Sequence, residues 1–420
     1  MEVEIDLGTH VLKLIAGHED HVDMIPYDGL DSDVQGEPSS PFEALEQPLR
    51  PPLVLTENPG EMKTYDIGIV AGDGIGPEVT REGLKALEAV AEIEGFKYQL
   101  VDYPYNSEHY LKTGELVPDS VIEEWSTLDA VLLGAIGHPD VEPGLVERSI
   151  ILGLRFGLDL YVNLRPIKVY AEHLCPLKDK RPEDVDFTVV RENTEGIYSQ
   201  IGGHLKKGTP DEVALLNGVY TWKGCERAVR YAFELAEKRA EARGPGGRKP
   251  CVTLVDKANA IRPHDIWTRA FAEVAADFPH IETDHAYVDA CCMWMIKNPE
   301  WFDVIVTTNL FGDIITDIGA MLQGGMGIAA SGNIHPGQTS MFEPIHGSAP
   351  KYTGKNMACP LGSVASVAMM LDFLGEESAG VLLEGAIAGL LQSGKVPSAD
   401  ARSGISTTNM GDMIVEQVQR

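Results

Sequence analysis

Short apolar runs recur along this chain with helix-patterned stretches between them, and that alternation limits the fold more than any other feature. Ile67, Ile69 and Val70, just after Tyr65, read as a buried strand. Gly72-Asp73-Gly74-Ile75-Gly76-Pro77-Glu78 reads as a tight turn, with Pro77 suited to the first turn of a helix. Val79, Leu84, Leu87 and Ala91 follow at helical spacing. Further strands are expected over 130–133, 187–190, 252–255 and 304–307, and helices over 225–242 and 265–276. Gly244-Pro245-Gly246-Gly247 ends the first of these helices sharply. Strands alternating with helices indicate an α/β architecture. With 420 residues, 44% of them hydrophobic, the chain is too long for one simple core and fits a two-domain protein.

The glycine turn is not a dinucleotide fingerprint. It reads GDGIG rather than GxGxxG, and no acidic residue is placed about 20 positions on for a ribose. Strand-to-helix turns need glycine for geometry alone, so a Rossmann fold is not expected. Residues 1–63 differ from the rest. Glu2, Glu4, Asp6, Glu19, Asp20, Asp23, Asp28, Asp31 and Asp33 come with few basic residues, and Pro38, Pro41, Pro48, Pro51 and Pro52 follow. This composition reads as a disordered leader. The alternation from Val3 to Ile15 leaves one added strand or hairpin as the other reading.

A formal net charge of −30 repels phosphate backbones and anionic lipid, so no nucleic-acid or membrane-surface partner is expected. No apolar run of the length of a membrane span occurs, and the acidic N-terminus does not read as a secretory signal. Cys175, Cys225, Cys251, Cys291, Cys292 and Cys359 form no CxxC pair and no disulfide framework, which points to a reducing cytoplasm. The same negative field opposes anionic substrates. A site for them must concentrate arginine or lysine locally.

Four groups of residues fit such a site. Arg155 and Arg165 lie ten residues apart, and Arg191 comes later in Val190-Arg191-Glu192-Asn193. Guanidinium forks bind carboxylates bidentately, and a dicarboxylate needs more than one. Singly, each is as readily a surface ion pair. Asp313 and Asp317 are four apart, on one face of an expected helix, and repel unless a cation sits between them. Asp289 could add a third oxygen ligand, a set that suits Mg2+ or Mn2+. Tyr198 and Lys257 form a candidate acid–base pair; burial or neighbouring cations would let the lysine act as a base. Finally, Phe342-Glu343-Pro344-Ile345-His346-Gly347-Ser348-Ala349-Pro350, continued by Lys351-Tyr352, could offer backbone donors to a nucleotide.

GDGIGPE, LR, NLRP, VRENTEGIYS, VDKAN, YVDA, NLFGDIITD and FEPIHGSAP occur in this order. The set resembles the isocitrate/isopropylmalate dehydrogenase family of β-decarboxylating dehydrogenases, over roughly residues 65–420. The resemblance implies a two-domain α/β fold distinct from Rossmann, with the active site in the cleft between domains and completed by a dimer partner. Residues 64–160 and 324–420 would form the cofactor-binding domain, and 161–323 the substrate, metal and dimerisation domain. Arg155, Arg165 and Arg191 are similar to the family's carboxylate clamp. Tyr198 looks like the acid that protonates the enol, and the partner subunit's Lys257 like the base. Asp289, also reaching across from the partner, would join Asp313 and Asp317 on the metal. Glu343, His346, Gly347, Ser348 and Ala349 look like the cofactor loop.

The segment before Arg155 implies the substrate. Isocitrate enzymes carry Ser-x-Asn there; this chain keeps Ser149 but has Ile151 where the asparagine would be. Ile151 and Leu152 match the apolar pair that packs against an isopropyl group, so 3-isopropylmalate, and with it a place in leucine biosynthesis, is the leading expectation. Isocitrate, homoisocitrate and tartrate or D-malate are the alternatives. Lys351-Tyr352 stands where NADP-using isocitrate enzymes meet the 2′-phosphate, whereas the C-terminal segment resembles the shorter isopropylmalate type, which leans to NAD. Arg402 is a candidate to complete a phosphate site. Cys359 stands where an asparagine usually holds adenine. A non-catalytic regulatory or binding relative would have lost acid, base or metal ligands, and all are present.

Overall fold

The computed structural model describes residues 2–6, 11–15 and 63–420. Near the N-terminus, β1 (Glu2–Asp6) and β2 (Val11–Ile15) pair antiparallel, with Glu2 opposite Ile15 and Asp6 opposite Val11. Of the two readings of that stretch, this is the hairpin. The disorder expected for the rest of the leader lies outside the described residues. The hairpin belongs to a unit separate from the body.

In the body the strands are β3 (Thr64–Gly72), β4 (Lys97–Asp102), β5 (Ala130–Ala135), β6 (Val162–Lys168), β7 (Asp186–Glu192), β8 (Gly196–Leu205), β9 (Val213–Val219), β10 (Cys251–Asp256), β11 (Glu282–Tyr287), β12 (Val304–Thr307), β13 (Ala330–Ile334) and β14 (Ser340–Pro344). Ten of them make one sheet in the order β11-β10-β12-β7-β6-β13-β14-β5-β3-β4, while β8 and β9 form a separate hairpin. Within each half of the sheet the outer strands run parallel, as helical crossovers require. At the centre, β13 is antiparallel to both β14 and β6, and β6 is antiparallel to β7. The two halves therefore share one continuous sheet, joined where Gly332, Asn333 and Ile334 meet Leu164, Asn163 and Val162.

Side-chain alternation along each strand sorts the interior into layers. On one face, Ile67, Ile69, Leu132, Val162, Val190, Leu254, Val306, Ile334 and Phe342 join a single apolar cluster spanning both halves. Helices Gly76–Glu94, Trp222–Arg243, Asp265–Asp277, Leu361–Leu374, Glu377–Gln392 and Thr407–Val418 each bury a face in it. The opposite face carries two clusters, one with Val131, Leu133, Ile150, Leu154 and Met341, the other with Ile167, Phe187, Val189, Val255 and Ile315. Between these two lie Asn163, Arg165, Arg191, Asn193, Ser331, Asn333 and Glu343, all buried and polar. An α/β core thus has one polar seam on one face.

The glycine turn packs against the loop that follows β14. Gly74 has φ +59°, and a Cβ built on it would lie 2.0 Å from the Ser348 carbonyl oxygen. Ile75 N–H donates to that same oxygen at 2.9 Å. The buried Asp73 carboxylate accepts from Ser107 N–H, Ser107 Oγ and Gly137 N–H. The glycines are thus there for close backbone approach, Gly74 to the 346–349 loop and Gly72 and Gly76 to the backbone at Ala135 and Ala71, as the geometric reading of GDGIG expects.

Candidate active site

Arg155 lies in the short helix Gly153–Gly157, Arg165 on β6 and Arg191 on β7. All three are buried, at 8%, 8% and 1% exposure, and a buried charge needs partners. Arg191 Nη1 donates to Asp313 Oδ1 at 2.6 Å, and its Nε and Nη2 donate to Asn309 Oδ1. Arg165 Nε donates to Asn163 Oδ1 at 2.7 Å and Nη1 to Thr316 Oγ1 at 2.8 Å; Asp313 lies 3.8 Å from Nη2. Arg155 Nη2 lies 3.5 Å from Glu343 Oε1, and its buried Nε has no partner. Burial, reinforced by the other two guanidiniums, weakens the hold of Arg191 on its proton, and Asp313 opposes this. The cluster is a concentrated positive site in a chain of net charge −30, with one donor still unpaired. That is what a polyanionic ligand requires.

Tyr198, on β8, donates its hydroxyl to Asp313 Oδ2 at 2.9 Å, and the Arg191 guanidinium lies 5.5 Å from its ring centre. Burial and the Asp313 carboxylate raise its pKa, so the phenol keeps its proton. Burial acts to raise the Asp313 pKa too, but Arg191, Arg165 and the Tyr198 hydroxyl outweigh it and leave Asp313 ionised. On the same helix, Asn309–Leu322, the Asp317 carboxyl is pushed up by burial, with Asp313 adding to it. A cation between the two would relieve that repulsion, so the pair fits a divalent metal.

Lys257 follows β10, and Asp289 lies in the first turn of helix Val288–Lys297. The lysine ammonium bonds the Asp289 carboxylate rather than lying among cations or deep in the core, and its bond holds the Asp289 pKa below the ordinary value. Neither residue joins the arginine set. Among the described residues no three His, Cys, Asp or Glu side chains gather into a metal-binding group. One chain therefore brings together Arg155, Arg165, Arg191, Tyr198 and Asp313, and leaves Lys257 and Asp289 with each other.

The 346–349 loop leaves β14 with Ala349 at φ +41°. His346 Nδ1 faces the Gly347 carbonyl at 3.1 Å and so carries the proton. Its Nε2 is then an acceptor, buried and without a partner, and burial keeps the ring neutral. A Cβ on Gly347 would meet open space. An orphaned acceptor beside an open backbone fits a nucleotide. Glu343 itself stands in the arginine seam, while Cys359 packs into the core with its Sγ 3.6 Å from Met410 Sδ, its thiol pushed up to about 12 by burial. Lys351 Nζ lies 4.8 Å from the Tyr352 ring centre. Arg402 is bonded to Asp400 through Nε at 2.8 Å.

Ile151 and Leu152 are half-buried on a single wide helical turn, Arg148–Leu152, that leads into Arg155. Ser149 Oγ accepts from Val117 N–H at 2.9 Å. A cavity of about 620 Å³ lies on the other face of the sheet, lined by Leu164, Tyr231, Met369 and Glu384 among others, and none of the three arginines reaches it. Charge and one unpaired donor, not volume, mark the site. Sequence reasoning missed Asn163, Asn309, Thr316 and Asn333, which hold the arginines and Glu343 in place. Their one signal is parity: each strand asparagine lies an even number of residues from a clamp arginine or another seam residue.

A family profile described as Isocitrate/isopropylmalate dehydrogenase matches residues 66–414. A 3-isopropylmalate dehydrogenase of Thermobifida fusca is 45% identical over 361 residues, 85% of this chain and 98% of that protein. One of Corynebacterium glutamicum is 44% identical over 357 residues, 84% and 99% of the two chains. Among solved structures, the isocitrate dehydrogenase from Methylococcus capsulatus superposes with TM-score 0.74 at 34% identity, covering 85% of this chain and 100% of that one. The beta-decarboxylating dehydrogenase from Thermococcus kodakarensis gives 0.68 at 32% identity, covering 84% and 96%.

Proposed function

Since the chain belongs to the isocitrate/isopropylmalate dehydrogenase family, we propose that it oxidises and decarboxylates 3-isopropylmalate, a step of leucine biosynthesis, with a divalent cation and NAD or NADP. The observation that carries the substrate is the segment entering Arg155: Ile151 and Leu152 are half-buried apolar side chains there, Ile151 resting in part on the interior cluster, and the Ser149 oxygen is engaged by the main chain at Val117. In this reading 64–160 with 324–420 serve the nucleotide, Ile151, Leu152 and Arg155 reaching the substrate from that part, and 161–323 serve the substrate and the metal.

Arg155, Arg165 and Arg191 orient the two carboxylates through charge-assisted bonds. When bound, the nicotinamide would accept the hydride that leaves substrate C2, and the cation would supply a Lewis acid for the decarboxylation. Asp313 and Asp317 would hold the cation with the partner subunit's Asp289. The partner subunit's Lys257, as the neutral amine, takes the hydroxyl proton as the alcohol is oxidised and becomes the ammonium. Tyr198, kept protonated by its surroundings, delivers a proton to carbon once CO2 has left.

The test is absorbance at 340 nm with Mg2+, crossing 3-isopropylmalate, isocitrate, homoisocitrate, D-malate and tartrate with both nucleotides. Strong turnover of 3-isopropylmalate is expected. Ile151→Asn is expected to cut its kcat/KM by about 10- to 100-fold, the range for a lost apolar contact of about 1–3 kcal/mol. A change below about threefold would remove Ile151 from substrate choice.

For the nucleotide, Lys351 has no carboxylate partner among the described residues and is open to a 2′-phosphate, while Arg402 is held by Asp400. One cation rather than two supports use of both nucleotides. Lys351→Asp is expected to lower kcat/KM for NADP by more than about 10-fold, one charge-assisted bond, and to leave NAD within about threefold. Equal losses with both would show that Lys351 does not read the phosphate.

A homodimer fits the exposed apolar side chains. Ile201, Leu205, Val213, Leu215 and Leu216 on the β8–β9 hairpin are exposed, as are Met293, Ile296, Ile314 and Met321 on the two helices that carry the aspartates. An isolated hairpin is marginal in water, and such patches mark interfaces. All six cysteines are free, which supports a reducing compartment such as the cytoplasm; no helix among the described residues is long and apolar enough to cross a membrane.

A further inference from the structure

We propose that Asn333 is a positioning residue for the arginine clamp: through the polarity of its hydrogen bonds it sets where Glu343, Arg155 and Arg165 stand. The proposal rests on the reading above that these arginines hold the substrate's carboxylates. Asn333 sits on β13, fully buried, at the junction of the two sheet halves.

The direction of every bond around it is fixed from outside. Arg165 is a donor only, so Asn163 must turn Oδ1 toward it, at 2.7 Å. The two hydrogens of Asn163 Nδ2 then go to Ser331 Oγ at 2.7 Å and Asn333 Oδ1 at 3.0 Å. The Leu160 carbonyl is an acceptor only, so Asn193 must turn Nδ2 toward it, at 2.9 Å, and its second hydrogen goes to Asn333 Oδ1 at 3.0 Å. Two donors thus face Asn333 Oδ1. Its Nδ2 is left to donate to Glu343 Oε1 at 2.9 Å, the same oxygen that lies 3.5 Å from Arg155 Nη2.

This relay ties β6, the end of β7, β13 and β14 to two of the three clamp guanidiniums. Each member is buried and its flip is determined: Asn193 Oδ1 is left without a partner, and reversing any of the three amides would set donor against donor or acceptor against acceptor. Only an asparagine serves at 333. A leucine would strand two amide donors and the Glu343 oxygen. An aspartate would keep the shape and satisfy Asn163 and Asn193, but would set a second carboxylate against Glu343.

Asn333→Asp is therefore the shape-preserving test. It is expected to raise KM for the hydroxy acid by at least about 10-fold, with KM for the nucleotide within about threefold. In Asn333→Asp/Glu343→Gln, the new Gln Nε2 can donate to the Asp carboxylate and close the network with this bond reversed. That double variant is expected to bring KM back to within about threefold of Glu343→Gln alone. Where Asn333→Asp does not fold, Asn333→Ser, which keeps one donor and adds no charge, is the second variant, expected to raise KM by about 3- to 10-fold. Unchanged KM in the folded variant overturns the proposal, as does a double variant no better than Asn333→Asp, because a merely structural defect would not be rescued by a second change. Arg165→Lys is the reference. If it leaves KM unchanged, the clamp reading fails; if it raises KM while Asn333 variants do not, only the positioning role fails.

Discussion

Lys257→Met is expected to lower kcat by about 10²- to 10⁴-fold, the contribution of a positioned general base, with substrate KM little changed. Methionine keeps the length and apolar stem of the side chain and removes the ammonium. Lys257 faces Asp289 in its own chain and none of Arg155, Arg165, Arg191 or Tyr198. Its packing is secured by other groups: its backbone N–H lies 3.3 Å from His264 Nδ1, and His264 Nε2 lies 3.1 Å from the Tyr220 hydroxyl. The fold should therefore survive, and the loss should fall on turnover. A kcat within about tenfold of wild type would remove Lys257 from the proton transfer.

Asp313→Asn carries the second large effect. Asp313 is the point at which three functions meet: it pairs with Arg191 at 2.6 Å, accepts from the Tyr198 hydroxyl at 2.9 Å, and stands one helical turn from Asp317. Asparagine can still accept from either neighbour, but it removes the charge that opposes burial at Arg191 and one ligand of the proposed cation. A fall of kcat/KM by about 10³-fold or more is expected, with the Mg2+ concentration for half-maximal rate raised at least about 10-fold. Stability should fall as well, by about 2–4 kcal/mol, because asparagine keeps a single acceptor for two donors and leaves the buried Arg191 guanidinium without its charge partner. Wild-type metal dependence in this variant would show that Asp313 serves the arginines alone.

Mixing the two variants tests the shared site. In a two-fold dimer with sites completed across the interface, a mixed dimer has one intact site: Asp313 from the Lys257→Met chain and the lysine from the other. Random reassembly of equal amounts should restore about a quarter of wild-type activity from two inactive parents. No recovery, with exchange of chains verified, would place all catalytic groups within one chain.

The residues of this site were legible in different degrees. The clamp arginines, Tyr198, Lys257 and the aspartates stood out because each chemistry admits few residue types, and short motifs carry them. β13 and β14 announced nothing: Ser331, Asn333 and Glu343 interrupt any apolar pattern because they face the seam. The β8–β9 hairpin escaped periodicity too, since its exposed face is apolar. Cys359, taken from the motif as a cofactor neighbour, turns its side chain into the core.

The sequence by itself determined the α/β class, the helix and turn boundaries around Gly72–Pro77 and Gly244, and which residue types could do the chemistry. These follow from local periodicity and turn geometry, which neighbouring residues set. Only the tertiary structure decided that Asn163, Arg165, Arg191, Asn333 and Glu343 share one face, and that Lys257 and Asp289 stand apart from Asp313. Those facts depend on the register of β6 against β7 and β13, strands far apart in the chain, where a slip of one residue would turn every side chain to the other face.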